Sequence, residues 1–148
     1  MSAVCHLHER GILHNDIKSN NFVIEEREMK TRPVLIDFGK ATTASKSKGC
    51  ETKRDMTLAE RHQYRQKYPH IAPEISLGKA QTELTDTYSF GYVFCTTMKS
   101  LDNMRKLAVE NERLHLLKIG QLITHNNPKK RGNLQDALTV VNAITRIT

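Results

Sequence analysis

Four polar side chains stand out by type and order. Asp16 is followed by Lys18 two residues on and by Asn21 five residues on, within His14-Asn15-Asp16-Ile17-Lys18-Ser19-Asn20-Asn21. A second carboxylate, Asp37, heads Asp37-Phe38-Gly39. Acidic, basic and amide groups at such spacing can orient a reacting group and neutralise charge around it. Taken singly, each is equally a loop Asp or Asn capping a turn. A further cluster, Cys5-His6-Leu7-His8, has metal-ligating types, but no second ligand pair follows at finger spacing, so a helix end is the better home.

The elements around these residues can be read from pattern. Residues 2–10 end at Gly11, which tolerates positive φ, and read as a last helical turn or two. Asn21-Phe22-Val23-Ile24 and Pro33-Val34-Leu35-Ile36 are short and rich in β-branched residues, with the charged segment 25–32 between them, which predicts a hairpin. Residues 40–68 carry Ser, Thr and Lys with little apolar periodicity. They read as a long mobile loop with one short helix near 58–66. From Asp86 through Cys95 the chain is almost continuously apolar, a buried helix with Thr85 or Asp86 near its cap. Leu107, Leu114, Leu117, Ile119, Leu122 and Ile123 give an amphipathic stretch stopped by Asn126-Asn127-Pro128, and 134–147 reads as a final helix.

Composition narrows the class. The 148 residues are 38% hydrophobic and 26% charged. That is ordinary globular usage and argues against disorder or a fibrous chain. Three cysteines, Cys5, Cys50 and Cys95, are odd in number and far apart, which suggests neither a disulfide framework nor a zinc ribbon and fits a reducing, intracellular, cytoplasmic setting. No stretch approaches the roughly 18 apolar residues of a membrane span, and no basic-then-apolar leader opens the chain, which therefore reads as soluble and unprocessed. The net charge of +7 is concentrated in 40–67, where eight Lys/Arg face three Asp/Glu. That segment lacks the interleaved aromatics of a single-strand binder, so acidic protein partners or substrates rank above nucleic acid.

The order of these motifs resembles the eukaryotic protein kinase family. The likeness runs over nearly the whole chain: Leu7-His8 with Gly11-Ile12-Leu13-His14, the Asp16 motif, Asp37-Phe38-Gly39, Ala72-Pro73-Glu74, Asp86 to Gly91, and Pro128 to Arg131. It implies a mainly α (α+β) fold: a kinase C-terminal lobe with a small antiparallel hairpin beside the catalytic loop. The whole of 1–148 would be a partial kinase domain, with a catalytic loop at 14–21, an activation segment at 37–74 and helices over 85–148. The implied activity is phosphoryl transfer from ATP to a protein hydroxyl, with ATP and Mg²⁺ as cofactors. In that scheme Asp16 orients the substrate hydroxyl and accepts its proton, and Lys18 neutralises the transferring phosphate. Asn21 and Asp37 hold Mg²⁺ through oxygen ligands. Phe38 packs beneath the site and Gly39 lets the segment swing. Val23, with Phe22, lies under the adenine ring, where a core-strand role would equally explain both. His14 and Asp86 tie the loop to the central helix, and Glu74 pairs with Arg131.

Lys18 favours serine/threonine over tyrosine acceptors, although no Gly-Thr precedes Ala72-Pro73-Glu74 and Gln66-Lys67-Tyr68-Pro69-His70 stands there instead. Asn15 replaces the Arg that binds a phosphorylated activation segment, which predicts a weak phosphorylation switch. The region between Met98 and Leu114 is short for the family. Nothing before His14 reads as a glycine-rich loop, an ATP-contacting Lys strand or its partner helix, so the ATP-covering lobe is expected to be absent. A second reading, a non-catalytic kinase-like interaction module (a pseudokinase or scaffold), follows from that absence.

Overall fold

A left-handed glycine sets the first boundary. In the computed structural model, which describes residues 1–27, 30–103 and 110–145, helix α1 (Ser2–His8) buries Val4 and Cys5. Gly11 at φ +65° closes it, and the Gly11 N–H donates to His8 O at 2.8 Å. Strand β1 (Ile12–Leu13) then pairs antiparallel with β4 (Thr42–Thr43), in the register Ile12 to Thr43 and Leu13 to Thr42. Ala44 N–H donates to Gly11 O at 2.8 Å and extends this short ladder.

Strands β2 (Phe22–Arg27) and β3 (Lys30–Leu35) form a separate antiparallel ribbon in the register Phe22 to Leu35. They reach further into the charged segment than the expected 21–24 and 33–36, because cross-strand partners there are complementary. Glu25 faces Arg32, joined at 2.6 Å, so charge lengthens the ladder instead of ending it. Pro33 is tolerated opposite Ile24 because a two-stranded ribbon has open edges. Asn21 lies before the ribbon in a 3₁₀ turn, Ser19–Asn21.

Residues 40–68 are not one long loop with a single helix. Besides β4 they hold a 3₁₀ turn (Ala44–Lys46), α2 (Glu51–Arg54) and α3 (Leu58–Lys67). These pieces lack apolar periodicity because neither helix buries a side chain fully. Local hydrogen bonds fix them instead. Thr57 Oγ1 accepts from Glu60 N–H at 3.2 Å, and the Glu60 carboxylate accepts from Thr57 N–H at 2.7 Å. Together these bonds form a capping box for α3.

Helix α4 (Glu83–Asn103) begins three residues before the expected Asp86. Thr85 sits inside its first turn, where its hydroxyl accepts from Thr82 N–H at 3.0 Å. Against α4 lies α5 (Glu110–Ile123), and the two helices approach closely at glycines. A Cβ on Gly91 would fall 2.7 Å from Ile123 Cγ1, and one on Gly120 would run into Cys95 Sγ. After a 3₁₀ turn at Pro128–Lys130 comes α6 (Leu134–Thr145). The core joins α1, α4, α5 and α6 through Val4, Cys5, Phe90, Ile123, Leu134 and Ala137, with Ile17 and Leu35 brought in from the loop and ribbon. Each fully buried Ile in it contributes on the order of 1.5–3 kcal/mol. Leu107, the short stretch before Leu114 in part, and the end of the last helix lie outside the described residues. Among the described residues, no helix is long and apolar enough to cross a membrane.

Candidate functional site

A buried carboxylate organises the loop at 14–21. Asp86, 2% exposed on α4, accepts the backbone N–H of His14 at 2.7 Å and of Asn15 at 2.9 Å, and meets His8 Nε2 at 3.2 Å. The tie to His14 is therefore through its backbone. The His14 ring, also buried, turns the other way and its Nε2–H donates to Ile36 O at 3.1 Å, which leaves Nδ1 to face Asp16 N–H at 3.4 Å. Asn15 adopts φ +66°, and the chain reverses there to present Asp16. Asn tolerates this left-handed conformation better than most side chains.

Asp16 collects three donors. Lys18 Nζ lies 2.9 Å from Oδ2, Asn21 Nδ2 lies 3.2 Å from the same oxygen, and Lys40 Nζ lies 3.0 Å from Oδ1. Asn21 Nδ2 also donates to Asp16 O at 2.7 Å, which locks the two ends of the loop together. Burial pushes the Asp16 carboxyl up, but hydrogen bonds and charge from Lys18 and Lys40 outweigh it and hold the group down at about 2. Lys18 is raised above its ordinary value, by its bond to Asp16 first and by the charges of Asp16 and Asp37 after it. The Asp37 charge is therefore felt at the same lysine. The Asp37 backbone is left-handed at φ +65°, its Oδ1 accepts from Gly39 N–H at 3.2 Å, and the neighbouring Ile36 N–H donates to Asn21 O at 2.9 Å.

The remaining sequence candidates are placed as follows. Glu74 and Arg131 make a two-pronged pair at 2.7 and 3.0 Å. The Arg131 side chain is fully buried, over the Tyr88 ring and bonded to Leu84 O and His125 O. Phe38 is not packed beneath the site but 49% exposed, its ring centroid 5.0 Å from that of His14. It borders an apolar cavity of about 1010 Å³ shared with Phe22, Leu35 and Phe90. Val23 is 43% exposed, so a core-strand role does not hold for it. On the alternating ribbon it is Phe22 that turns inward, onto Phe90. The cluster at 5–8 disperses: Cys5 is in the core, His6 meets Arg10 at 2.8 Å, and His8 meets Asp86.

Several participants are not legible from sequence. Lys40 reads there as one charge of a basic segment, and nothing local signals its contact with a carboxylate 24 positions earlier. Asn15 donates through Nδ2 to Lys40 O at 2.9 Å, a role its replacement of an Arg does not suggest. Beside Asp16 a cavity of about 210 Å³ is bordered by Lys40, Lys53, Tyr64 and His70. Lys53 Nζ donates to Tyr64 OH at 2.9 Å. Burial lowers the His70 pKa, which keeps that ring neutral near pH 7.

The sequence is similar to those of known proteins. Residues 1–141 match the protein kinase domain family. Over 105 residues the chain is 30% identical to a probable serine/threonine-protein kinase of Dictyostelium discoideum, covering 71% of this chain and 12% of that protein. It is 29% identical over 117 residues to the proto-oncogene serine/threonine-protein kinase mos of Sus scrofa, covering 79% and 29%. To GLH-binding kinase 1 of Caenorhabditis elegans it is 31% identical over 94 residues, covering 64% and 21%. The chain thus spans less than a third of the length of each of these relatives.

Proposed function

The chain belongs to the protein kinase family, and on that premise we propose that it carries the phosphoryl-transfer site of a serine/threonine-type kinase, with its catalytic loop at 14–21 and its activation segment at 37–74. One observation carries the reading. Asp16, Lys18 and Asn21 are joined side chain to side chain, Ile36 beside Asp37 is hydrogen-bonded to Asn21 O, and the Asp37 charge helps to raise the Lys18 pKa, so two carboxylates, an ammonium and an amide are gathered in one neighbourhood. The names of the relatives above support serine/threonine acceptors, and the excess of Lys and Arg over 40–67 supports an acidic protein substrate.

The residues fit the Mg²⁺ and ATP that the family uses. Asn21 commits its NH₂ to Asp16, which leaves its amide oxygen as the kind of ligand a hard cation takes, and Asp37 adds a carboxylate. Among the described residues no group of three or more His, Cys, Asp or Glu gathers for a metal, but Mg²⁺ is commonly held by one or two carboxylates plus phosphate and water. When bound, the metal would neutralise charge on the phosphates. Val23, exposed on β2, is the apolar contact assigned to the adenine ring. Asp16 orients the acceptor hydroxyl and takes its proton late, since a carboxyl held at about 2 is a weak base and a good positioner. Lys18 balances charge at the transferred group.

The test is phosphate transfer to a serine-containing peptide, by the 148-residue chain and by the same chain fused behind an ATP-covering kinase lobe. The fusion transfers phosphate, the chain alone transfers little, and Asp16→Asn or Asp37→Ala lowers the fusion's rate by about 10²- to 10⁴-fold. A fusion whose rate is unchanged by Asp16→Asn would refute the assignment.

A further inference from the structure

Both carboxylate oxygens of Asp16 are occupied. Lys18 and Asn21 share Oδ2, and Lys40 takes Oδ1 at 3.0 Å. The two lysines differ in their circumstances. Lys18 belongs to the loop that carries Asp16 and also feels Asp37. Lys40 arrives from the activation segment, and its side chain is 65% exposed. The lysine end of this pair stands in water, where a competing anion can reach it, whereas the Asp16 side chain is only 11% exposed.

The backbone of Lys40 is, by contrast, fixed. Asn15 Nδ2 holds its carbonyl at 2.9 Å, and two residues later β4 is laddered to β1. The side chain can therefore swing from a stationary root. Next to it lies the cavity of about 210 Å³ by which a chain would approach Asp16. Lys53, the other ammonium bordering that cavity, is engaged with the Tyr64 hydroxyl at 2.9 Å and stands 4.7 Å from the centre of its ring. A hydroxyl that is to reach Oδ1 must displace the Lys40 ammonium, and a neutral peptide offers that ammonium no new partner. A carboxylate or phosphate beside the hydroxyl does, through a charge-assisted hydrogen bond.

We infer that Lys40 determines substrate choice: it caps Asp16 Oδ1 at rest and swings away when an anionic group next to the acceptor hydroxyl takes its ammonium. This rests on the assignment of Asp16 as the residue that receives the acceptor. It goes beyond a general preference of a basic segment for acidic chains, because it places the discrimination in one side chain and predicts opposite effects on two classes of peptide.

Direct binding tests it without phosphate transfer. Fluorescein-labelled peptides with one serine, flanked by Gln, by Glu or by phosphoserine, are titrated into the 148-residue chain and followed by anisotropy. The unmutated chain binds the Glu peptide about three- to fivefold tighter than the Gln peptide, the scale of an exposed ion pair. Lys40→Met removes that ratio and binds the Gln peptide more tightly than the unmutated chain does, whereas Lys40→Arg keeps the ratio. Lys67→Met, which removes a charge stacked on Tyr68 in the same segment, leaves it unchanged. A phosphoserine peptide that binds well beyond the Glu peptide supports the inference with a phosphate placed beforehand as the anion; equal binding supports it with a carboxylate. An equal Glu-to-Gln ratio in the Lys40→Met and unmutated chains overturns the inference. So does a loss in Lys67→Met as large as that in Lys40→Met, or no binding of any peptide. Failure of the fusion to transfer phosphate would instead sink the kinase assignment and leave the binding ratio standing.

Discussion

The loop at 14–21 and the segment at 40–67 border the same cavity, yet they are held in opposite ways. The loop rests on buried, charged hydrogen bonds: Asp86 under its backbone at 2.7 and 2.9 Å, and the Glu74–Arg131 pair bracing the helices behind it. The segment has no fully buried side chain in either of its helices. It is pinned at separated points, by Asn15 to Lys40 O, by Cys50 N–H to Gly78 O at 3.1 Å, and by Ser47 Oγ to Gln81 O at 2.7 Å. Buried charge that has lost its partner is costly, whereas single uncharged hydrogen bonds such as these pins are each worth only about 1 kcal/mol and are cheaper to break and remake. The platform is thus rigid because errors in it are expensive, and the segment adjusts because they are not.

Arg131→Met should widen that contrast most. It strips five acceptor atoms of a buried guanidinium and leaves Glu74 unpaired. The expected loss is about 3–5 kcal/mol read from urea unfolding, and Arg131→Lys should recover little because an ammonium lacks the planar fork. Asp86→Asn comes next. One amide oxygen cannot accept the backbone N–H groups of both His14 and Asn15 as a carboxylate does. About 2–3 kcal/mol is lost, with amide exchange accelerated at His14 and Asn15 before α3.

A pH titration addresses the point where the two regions touch. The Asp16 carboxyl is depressed in the folded state, so its contribution is fully present above roughly pH 4 and is lost as pH falls through about 2. Lys40→Met removes one of the two lysines responsible and moves that loss to higher pH, visible in a carbon-detected carboxyl titration. An unmoved Asp16 midpoint would show that Lys18 alone sets it. The smallest effect belongs to the segment itself. Thr57→Ala removes the α3 capping box. The cost is about 1 kcal/mol of local helix stability, measured by exchange of the α3 amides, with global unfolding almost unchanged. A comparable loss in global unfolding would mean that α3 is part of the platform after all.

The same contrast explains what can be read in advance. Asp16, Lys18 and Asn21 fall within one loop, and a short loop brings close residues together whatever surrounds it. The Glu74–Arg131 pair spans 57 positions and is visible from sequence only through resemblance. In the segment, composition signals polarity correctly but not order, because elements of two to four residues such as β4 and α2 are stabilised by pairing with β1 and by the Gly78 carbonyl. Hydrophobic period does not report such contacts. Lys40 shows the limit: its neighbours Gly39 and Ala41 say nothing of Asp16. The half-exposed Phe38 and Val23 likewise depend on which face of a strand or turn the chain finally turns outward.

Asn15, which precedes Asp16, and Asp37, which heads the activation segment proposed above, are the described non-glycine residues with left-handed backbone. Each holds that conformation at a cost on the order of 1 kcal/mol, which a glycine would not incur. Asn15→Gly and Asp37→Gly would each relieve that backbone cost but give up a side-chain bond of similar worth, Asn15 Nδ2 to Lys40 O and Gly39 N–H to Asp37 Oδ1, so heat resistance should change little while both side chains are lost from the site. Endurance alone would therefore be nearly indifferent to glycine at these two positions, whereas the proposed function would not.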